Sequence, residues 1–121
     1  MKKPEDDLDA RKVVWDAMHV LWLDTDVDEI YLPTSAAQCA KTAYSIAELE
    51  QIFWHEVYPV MWPNLWSVAG EWTPLDLDVL SAEILKRHRF GRTLRFKRFR
   101  HEANEIWKQL RSQIEAARSD S

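Results

Sequence analysis

The chain has 121 residues, of which 46% are hydrophobic and 12% aromatic, and it carries a net charge of −4. This length suits one domain with a buried core, and the hydrophobic content excludes a disordered chain. Two glycines are too few for the tight turns of an all-β sandwich or barrel. Because the sequence has no run of about 18 apolar residues, we expect no membrane span.

Two sequence features bear on the cellular compartment. The basic start MKKP is followed by acidic residues rather than by an apolar stretch, so we expect no signal peptide. The single cysteine, Cys39, has no second cysteine with which to form an internal disulfide, and it lies among small residues in SAAQCAKT. We interpret Cys39 as a buried structural thiol, and we expect a cytoplasmic protein.

The small net charge conceals a strong separation of charge along the chain. Residues 1–85 carry 5 Lys and Arg against 16 Asp and Glu, whereas residues 86–101 carry 8 Lys and Arg and no acid. Clustered charge produces a local potential whatever the net value is. The sequence therefore predicts an acidic surface and a basic segment, which either act on partners or pair with each other.

The first two predicted helices are separated by an acidic stretch. Pro4 and the carboxylates after it form a typical helix start, and apolar residues recur at helical spacing as far as Trp22, which predicts helix 1 at about 5–23. The sequence DTDVDE ends this helix and begins helix 2, at about 27–42. Pro33 falls within helix 2 or near its first turns, where it either kinks the helix or delays its start.

The third predicted helix has the clearest start. Ser45 and Glu48 have the spacing of a capping box, in which each side chain binds the other residue's backbone N–H. Inward-facing apolar residues continue to Val57, and we expect the helix to end near Pro59. The stretch 53–72 overlaps this end and holds four of the seven Trp and two of the five Pro. It predicts an aromatic, Pro-broken connection that is either packed in the core or offered to a partner.

Two further helices complete the prediction. Thr73 or Asp76 caps helix 4, at about 76–89, and Gly91 ends it. Helix 5 takes about 92–118, with an apolar seam close to heptad spacing. The seam consists of Phe96, Phe99, Ala103, Ile106, Leu110, Ile114 and Ala117. No stretch predicts a strand, so the fold class is all-α: one domain over residues 1–121, built as a bundle of about five helices.

The acidic stretch after helix 1 resembles the start of a calcium-binding loop. Asp24, Asp26 and Asp28 have the EF-hand spacing, but Glu29 and Ser35 stand where that loop needs Gly and Glu. Carboxylates at this place also suit the first turn of helix 2. The capping interpretation is therefore favoured over a calcium site.

No catalytic constellation accompanies these elements. His55 and Glu56 begin like a zinc-protease motif, but Pro59 stands where the second His is needed. Glu56 and Glu71 lie near aromatic residues and are the best candidates for perturbed carboxylates, although a buried, hydrogen-bonded structural role is favoured. We therefore expect no metal, no cofactor and no enzymatic activity.

The basic segment offers an alternative function. Its cations alternate with phenylalanines, a combination that can bind phosphates and stack on bases. Arg95, Lys97, Arg98 and Arg100 are the candidate nucleic-acid contacts. The competing interpretation, which we favour, is that Phe96 and Phe99 face the core while the cations coat the outside.

Several short pieces of sequence resemble a small bacterial family of unknown function. They are RKVVW, LDTD, YSIAEL, EVYP and NLWSVAGEW, and SVAGEW is the most specific of them. The resemblance covers about residues 11–85 and implies no activity and no site residues. Small acidic helical bacterial proteins include immunity proteins, which block secreted toxins, and this analogy suggests a function class.

The sequence therefore predicts a non-catalytic cytosolic binding protein, most concretely an immunity-type inhibitor of a protein toxin. Its acidic surface would steer it onto a basic target, and exposed tryptophans would anchor the contact. The predicted partner-binding residues are Asp24, Asp26, Asp28, Glu29, Trp62 and Trp66. A nucleic-acid-associated or regulatory protein acting through residues 86–101 remains the alternative.

Overall fold

The computed structural model of the chain describes residues 2–22, 31–61, 76–89 and 100–119. The α-helices are α1 (Leu8–His19), α2 (Tyr31–Ala40), α3 (Ile46–Ile52), α4 (Tyr58–Met61), α5 (Leu77–Arg89) and α6 (Arg100–Ser119). A π-helical turn (Phe53–Val57) joins α3 to α4, and 3-10 turns occupy Pro4–Asp6 and Val20–Trp22. Counting α3, the π turn and α4 as one continuous segment, the described residues form five helical segments and no strand. The all-α prediction is confirmed.

The first helical segment differs from the predicted single helix at both ends. Asp7 has φ −140° and ψ 41°, which separates the 3-10 turn at Pro4 from α1. After His19 the chain tightens into the second 3-10 turn, ending at Trp22. The inward face was predicted correctly, because Trp15 and Trp22 are both fully buried.

Pro33 is the third residue of the described part of α2, and as a proline it has no backbone N–H to donate. The described part of α2 begins at Tyr31, so the predicted start at about 27 lies outside the described residues. Cys39 is fully buried in this helix, as predicted. Burial raises the pKa of its thiol to about 12, against an opposing effect of the Arg118 charge.

The capping box at the start of α3 is present as predicted. The Glu48 backbone N–H donates to Ser45 Oγ at 3.1 Å, and the Ser45 N–H donates to Glu48 Oε1 at 2.9 Å. The pKa of Glu48 is lowered, chiefly by the hydrogen bond from the Ser45 backbone. Sequence alone therefore located this helix start correctly.

The third helix, predicted to end near Pro59, is helical as far as Met61, the last residue that the structure describes in this part of the chain. Leu49, Phe53, Val57 and Met61 are all fully buried and lie four residues apart. In a regular α-helix, residues four apart drift around the axis by about 40° per step, so this row would turn away from the core. The π turn holds more residues per turn and keeps the row inward.

The π turn also changes the bonding just before Pro59. The Tyr58 N–H donates to the carbonyl of Phe53, five residues back, instead of the residue four back. The proline itself has no N–H to donate, so a regular ladder would be interrupted there in any case. The chain therefore stays helical through Pro59, and it changes from α-helix to π-helix just before this proline.

The last two helical segments follow the predicted pattern over the described residues. Asp76 caps α5, since its Oδ1 accepts the Asp78 N–H at 2.8 Å. The α6 seam is buried at Ala103, Ile106, Leu110 and Ile114. Trp107 is also buried, and the predicted seam omitted it. Pro63, Gly70, Thr73, Pro74, Gly91, Phe96 and Phe99, which entered the predictions, lie outside the described residues.

The buried side chains form one core in which α1 is central. α1 packs against α2, α3, α5 and the π turn, and α2 also packs along α6. Arg118 ties the end of α6 to the loop after α2: its guanidinium donates to the carbonyl oxygens of Ala40, Thr42 and Tyr44 at 3.3, 3.3 and 2.6 Å. A cation at the end of α2 also suits the negative end of the helix dipole.

Candidate functional site

Of the ten predicted binding residues, one lies in the described part of the chain. Asp24, Asp26, Asp28, Glu29, Trp62, Trp66, Arg95, Lys97 and Arg98 lie outside the described residues, and so does Glu71. Arg100 is described, and it begins α6 with an exposed side chain. Its guanidinium carbon lies 5.2 Å from the centroid of the Trp54 ring, a cation–π contact. The Arg100 guanidinium therefore already makes a contact within the protein, although it was predicted to bind nucleic acid.

The most polar part of the described core is an arginine–glutamate pair. Arg11 of α1 is 1% exposed and Glu56 of the π turn is 7% exposed. Arg11 Nη1 lies 3.8 Å from Glu56 Oε1, an ion pair that is too long to be a direct hydrogen bond. Taking two charges out of water is costly unless each compensates the other, so these residues depend on one another.

Trp15 and Tyr44 complete this cluster. The Trp15 indole N–H donates to Glu56 Oε1 at 2.8 Å. The Tyr44 hydroxyl donates to Asp7 Oδ2, and the Arg11 guanidinium carbon lies 5.6 Å from the Tyr44 ring centroid. Burial raises the pKa of Tyr44, and its hydrogen bond to Asp7 raises it further. We call Asp7, Arg11, Trp15, Tyr44 and Glu56 the buried polar cluster.

Helix spacing explains how α1 contributes to this cluster. Asp7, Arg11 and Trp15 lie four residues apart, so they share one side of the helical segment. Sequence reasoning identified Trp15 as inward and Glu56 as a buried, hydrogen-bonded carboxylate, but it missed Arg11 and Asp7. Their four-residue spacing from Trp15 was the available signal.

The side chains of the buried polar cluster have little access to solvent, which limits the reactions they could take part in. Its members are buried or half-buried, and the described contacts are those of ion pairing and hydrogen bonding rather than of a nucleophile beside a base. Over residues 2–22, 31–61, 76–89 and 100–119, no group of three His, Cys, Asp or Glu side chains could hold a metal ion. The cluster is suited to fixing α1 against the π turn.

An aromatic layer lies next to it. Phe53 is its centre, with ring centroids 5.5 Å from Trp22, 5.1 Å from Trp54 and 5.5 Å from Trp107. Tyr58 lies 5.7 Å from Trp22 and 5.3 Å from Trp54. In the described part of the aromatic-rich stretch, Phe53, Tyr58 and Met61 are therefore packed in the core, whereas Trp54 and Val60 are half-buried and His55 is exposed. Whether Trp62 and Trp66 pack in the core or contact a partner stays a prediction, since both lie outside the described residues.

The outer face of α1 is acidic. Asp9 and Asp16 are exposed on this face, and Val13 between them is 47% exposed. The residues are spaced four and three apart, so they form a stripe along the helix. Lys12 lies half-buried beside the stripe, and the exposed Glu5 and Asp6 precede it. We call Asp9, Val13 and Asp16 the α1 stripe.

A cavity of about 270 Å³ lies between α2 and α6. Leu32, Lys108, Gln109, Ser112 and Gln113 line it. Its volume is below the roughly 300–1,000 Å³ that small-molecule sites usually occupy. The ammonium of Lys108 also lies 3.9 Å from Glu105 Oε1, so it is already paired. The cavity carries no argument for a ligand.

The comparisons with known proteins place the chain in a family without an assigned activity. A family described as a domain of unknown function (DUF7079) matches residues 9–118. The chain belongs to this family. The match confirms the predicted membership of a family of unknown function, and it extends past the resemblance seen at about 11–85 to include the basic segment and α6.

No curated protein and no solved structure matches the chain. Among the described helices, none combines the length and the apolar character needed to span a membrane.

Proposed function

We propose that this DUF7079 protein is a non-catalytic binding protein of the immunity type, which neutralises a protein toxin by covering a basic surface on it. The observation that carries the proposal is the α1 stripe: exposed carboxylates of Asp9 and Asp16 on either side of the exposed Val13. The stripe adds to the sequence-predicted contacts Asp24, Asp26, Asp28, Glu29, Trp62 and Trp66, which remain part of the proposal.

The rigidity of α1 supports this role. Its inner face holds Arg11, Val14, Trp15 and Met18, all 1% exposed or less. The ion pair to Glu56 and the hydrogen bond from Trp15 fix the helix against the π turn. A surface held in one conformation loses little entropy when a partner binds, so more of the contact energy appears as affinity.

The charge of the surface supports a basic target. Glu5, Asp6, Asp9 and Asp16 are exposed near one another along the chain, together with the exposed cations Lys2 and Lys3 and the half-buried Lys12. Acidic surfaces accelerate encounters with basic partners and discriminate against acidic ones.

The closure of the buried polar cluster supports binding over catalysis. Arg11 and Trp15 are essentially inaccessible, and Glu56 is nearly so. A substrate would have to displace the core to reach them. The exposed residues of α1 are therefore better placed to meet a partner than the buried ones are to perform chemistry.

The test measures binding between this protein and the purified product of a toxin-like reading frame next to its gene. Asp9→Asn with Asp16→Asn removes two negative charges from the α1 stripe. We expect the association rate at low salt to fall by roughly tenfold and the difference to shrink as salt rises.

A matched control changes the net charge by the same amount elsewhere. Gln109→Lys with Gln113→Lys adds two positive charges on exposed positions of α6. The control should leave the association rate nearly unchanged. Equal losses in the two double variants would mean that only net charge matters, and failure of the wild-type protein to bind or neutralise the neighbouring product would refute the immunity function.

A further inference from the structure

We propose that Tyr44 is a positioning residue for the α1 stripe: its hydrogen bond to Asp7 fixes the first turn of α1, and with it the Asp9 carboxylate that contacts the partner. The inference rests on the proposed function, because that function gives Asp9 its partner-binding role. It adds a buried residue, from the loop between α2 and α3, that determines where an exposed contact residue lies.

Asp7 directly precedes α1, but its side chain does not cap the helix. Aspartate at this position usually accepts the backbone N–H of the second or third helical residue. Here the Asp7 side chain makes no capping bond, and φ −140° with ψ 41° lies outside the extended region that capping residues adopt. The Asp7 carboxylate instead accepts the Tyr44 hydroxyl. The start of α1 is therefore anchored by a residue from another part of the chain rather than by a cap of its own.

Tyr44 is itself held in place by two helices. It is 8% exposed, and Arg118 Nη2 of α6 donates to its carbonyl oxygen at 2.6 Å. The next residue, Ser45, forms the capping box of α3 with Glu48. Because the backbone on which Tyr44 lies is fixed to α6 and α3, its hydroxyl can hold the Asp7 carboxylate in one position.

Asp9 is the stripe residue that this anchor affects most. It is exposed in the first turn of α1, two residues after Asp7. The first turn of a helix lacks part of the backbone bonding that fixes later turns, so it opens most readily. Asp16 lies about two turns further along, where His19 Nδ1 is 2.8 Å from its carbonyl oxygen and 3.7 Å from its Oδ1. Loss of the Tyr44 hydroxyl should therefore affect Asp9 and leave Asp16 in place.

Backbone amide exchange of the free protein tests the anchor, with Tyr44→Phe as the variant. This substitution removes the hydroxyl but keeps both the ring beside Arg11 and the carbonyl oxygen that Arg118 binds. The reporter is the Arg11 N–H, which donates to the Asp7 carbonyl oxygen at 3.0 Å and closes the first turn of α1. We expect its exchange to accelerate by roughly tenfold, while that of the fully buried Met18 stays unchanged.

Tyr31→Phe is the matched control, because it removes the same hydroxyl from a tyrosine of α2 that is 41% exposed. It should leave the Arg11 exchange unchanged. Equal Arg11 exchange in the wild-type protein and in Tyr44→Phe would overturn the proposal, since it would show that the start of α1 is held without the Tyr44 hydroxyl.

The effect on binding is measured against the purified product of the neighbouring toxin-like reading frame. We expect Asp9→Asn to raise the dissociation constant by roughly fivefold in the wild-type protein and by less than about twofold in Tyr44→Phe, because the carboxylate is no longer held at its contact. Asp16→Asn should have the same effect in both backgrounds, which a general loss of stability would not produce.

The outcomes separate this inference from the proposed function. If Tyr44→Phe leaves the effect of Asp9→Asn unchanged, or reduces the effects of Asp9→Asn and Asp16→Asn equally, Tyr44 does not position Asp9. If the wild-type protein does not bind the neighbouring product, the immunity function is refuted and the binding role of Tyr44 with it. The exchange of the Arg11 N–H then still decides whether Tyr44 anchors α1.

Discussion

Trp15 and Glu56 are 41 residues apart in sequence, and the indole N–H of Trp15 donates to Oε1 of Glu56 at 2.8 Å. The same oxygen is the one that Arg11 approaches at 3.8 Å. One carboxylate therefore joins two residues of α1 to the π turn. The π turn places this carboxylate inside while it keeps the apolar row from Leu49 to Met61 buried.

Removing the carboxylate should be severely destabilising. We expect Glu56→Ala to lower the free energy of unfolding by about 3–5 kcal/mol, because it leaves a buried guanidinium without its counter-ion. Urea unfolding measures this value. The double variant Arg11→Met with Glu56→Met should be clearly more stable than Glu56→Ala, since it removes both charges and retains apolar volume. A double variant as unstable as the single one would show that the ion pair is not what the alanine change disrupts.

The capping box allows a smaller and more local prediction. Ser45→Ala should destabilise by about 1 kcal/mol, because the Glu48 N–H loses its side-chain acceptor. The pKa of Glu48 is lower in the folded protein than in the unfolded chain, so the ionised carboxylate stabilises the fold above the ordinary carboxyl pKa. This stabilisation is lost as the pH falls through the lowered pKa of the folded state. The stability difference between wild type and a Glu48→Gln variant, which lacks the carboxylate charge, should therefore shrink in acid. A pH-independent difference in denaturant melts would contradict the reciprocal cap.

The Cys39 thiol should be inert in the folded protein. Burial raises its pKa to about 12, so the thiolate that reacts with disulfide reagents is scarce near neutral pH. Labelling at pH 8 should proceed only as fast as the protein opens and should become rapid in denaturant. Because the Cys39 pKa is higher in the folded than in the unfolded protein, the protonated thiol contributes its full stabilisation below the unfolded pKa. This stabilisation is lost as the pH rises toward about 12. Fast labelling of the native protein would place Cys39 at the surface.

Replacing Trp66 distinguishes a binding role from a core-packing role for the aromatic-rich stretch. If Trp66 is an interface anchor, Trp66→Ala should leave the melting temperature almost unchanged and weaken toxin binding. If it is a core residue, the change should cost about 3–5 kcal/mol. Trp107→Ala provides the scale, because Trp107 is 3% exposed and packs against Phe53. A loss for Trp66→Ala as large as that for Trp107→Ala would remove it from the binding proposal.

The nucleic-acid alternative is tested by a gel-shift or fluorescence assay at low salt. It requires salt-sensitive binding of DNA or RNA that weakens when Arg95, Lys97, Arg98 and Arg100 are replaced by Gln. We expect no binding, since the proposed function uses the acidic surface. Binding that depends on these four cations would favour the alternative over the toxin-inhibitor function.

The local features of this protein were determined by its sequence. The reciprocal bonds of Ser45 and Glu48, the Asp76 cap and the buried seam of α6 all follow from residues within one or two helical turns. Such residues meet whenever the helix forms, so spacing alone predicts them. The all-α class follows from the same periodicity repeated along the chain.

The buried polar cluster was decided by the tertiary structure. The Arg11 charge can be buried only because packing brings Glu56 beside it, and Tyr44 reaches Asp7 although the two are 37 positions apart in sequence. Likewise, nothing in the local sequence shows that the helix continues through Pro59. There the gain from keeping Phe53, Val57 and Met61 in the core outweighs regular α-helical bonding. Such outcomes depend on which helix faces meet, and helix spacing contains no information about that.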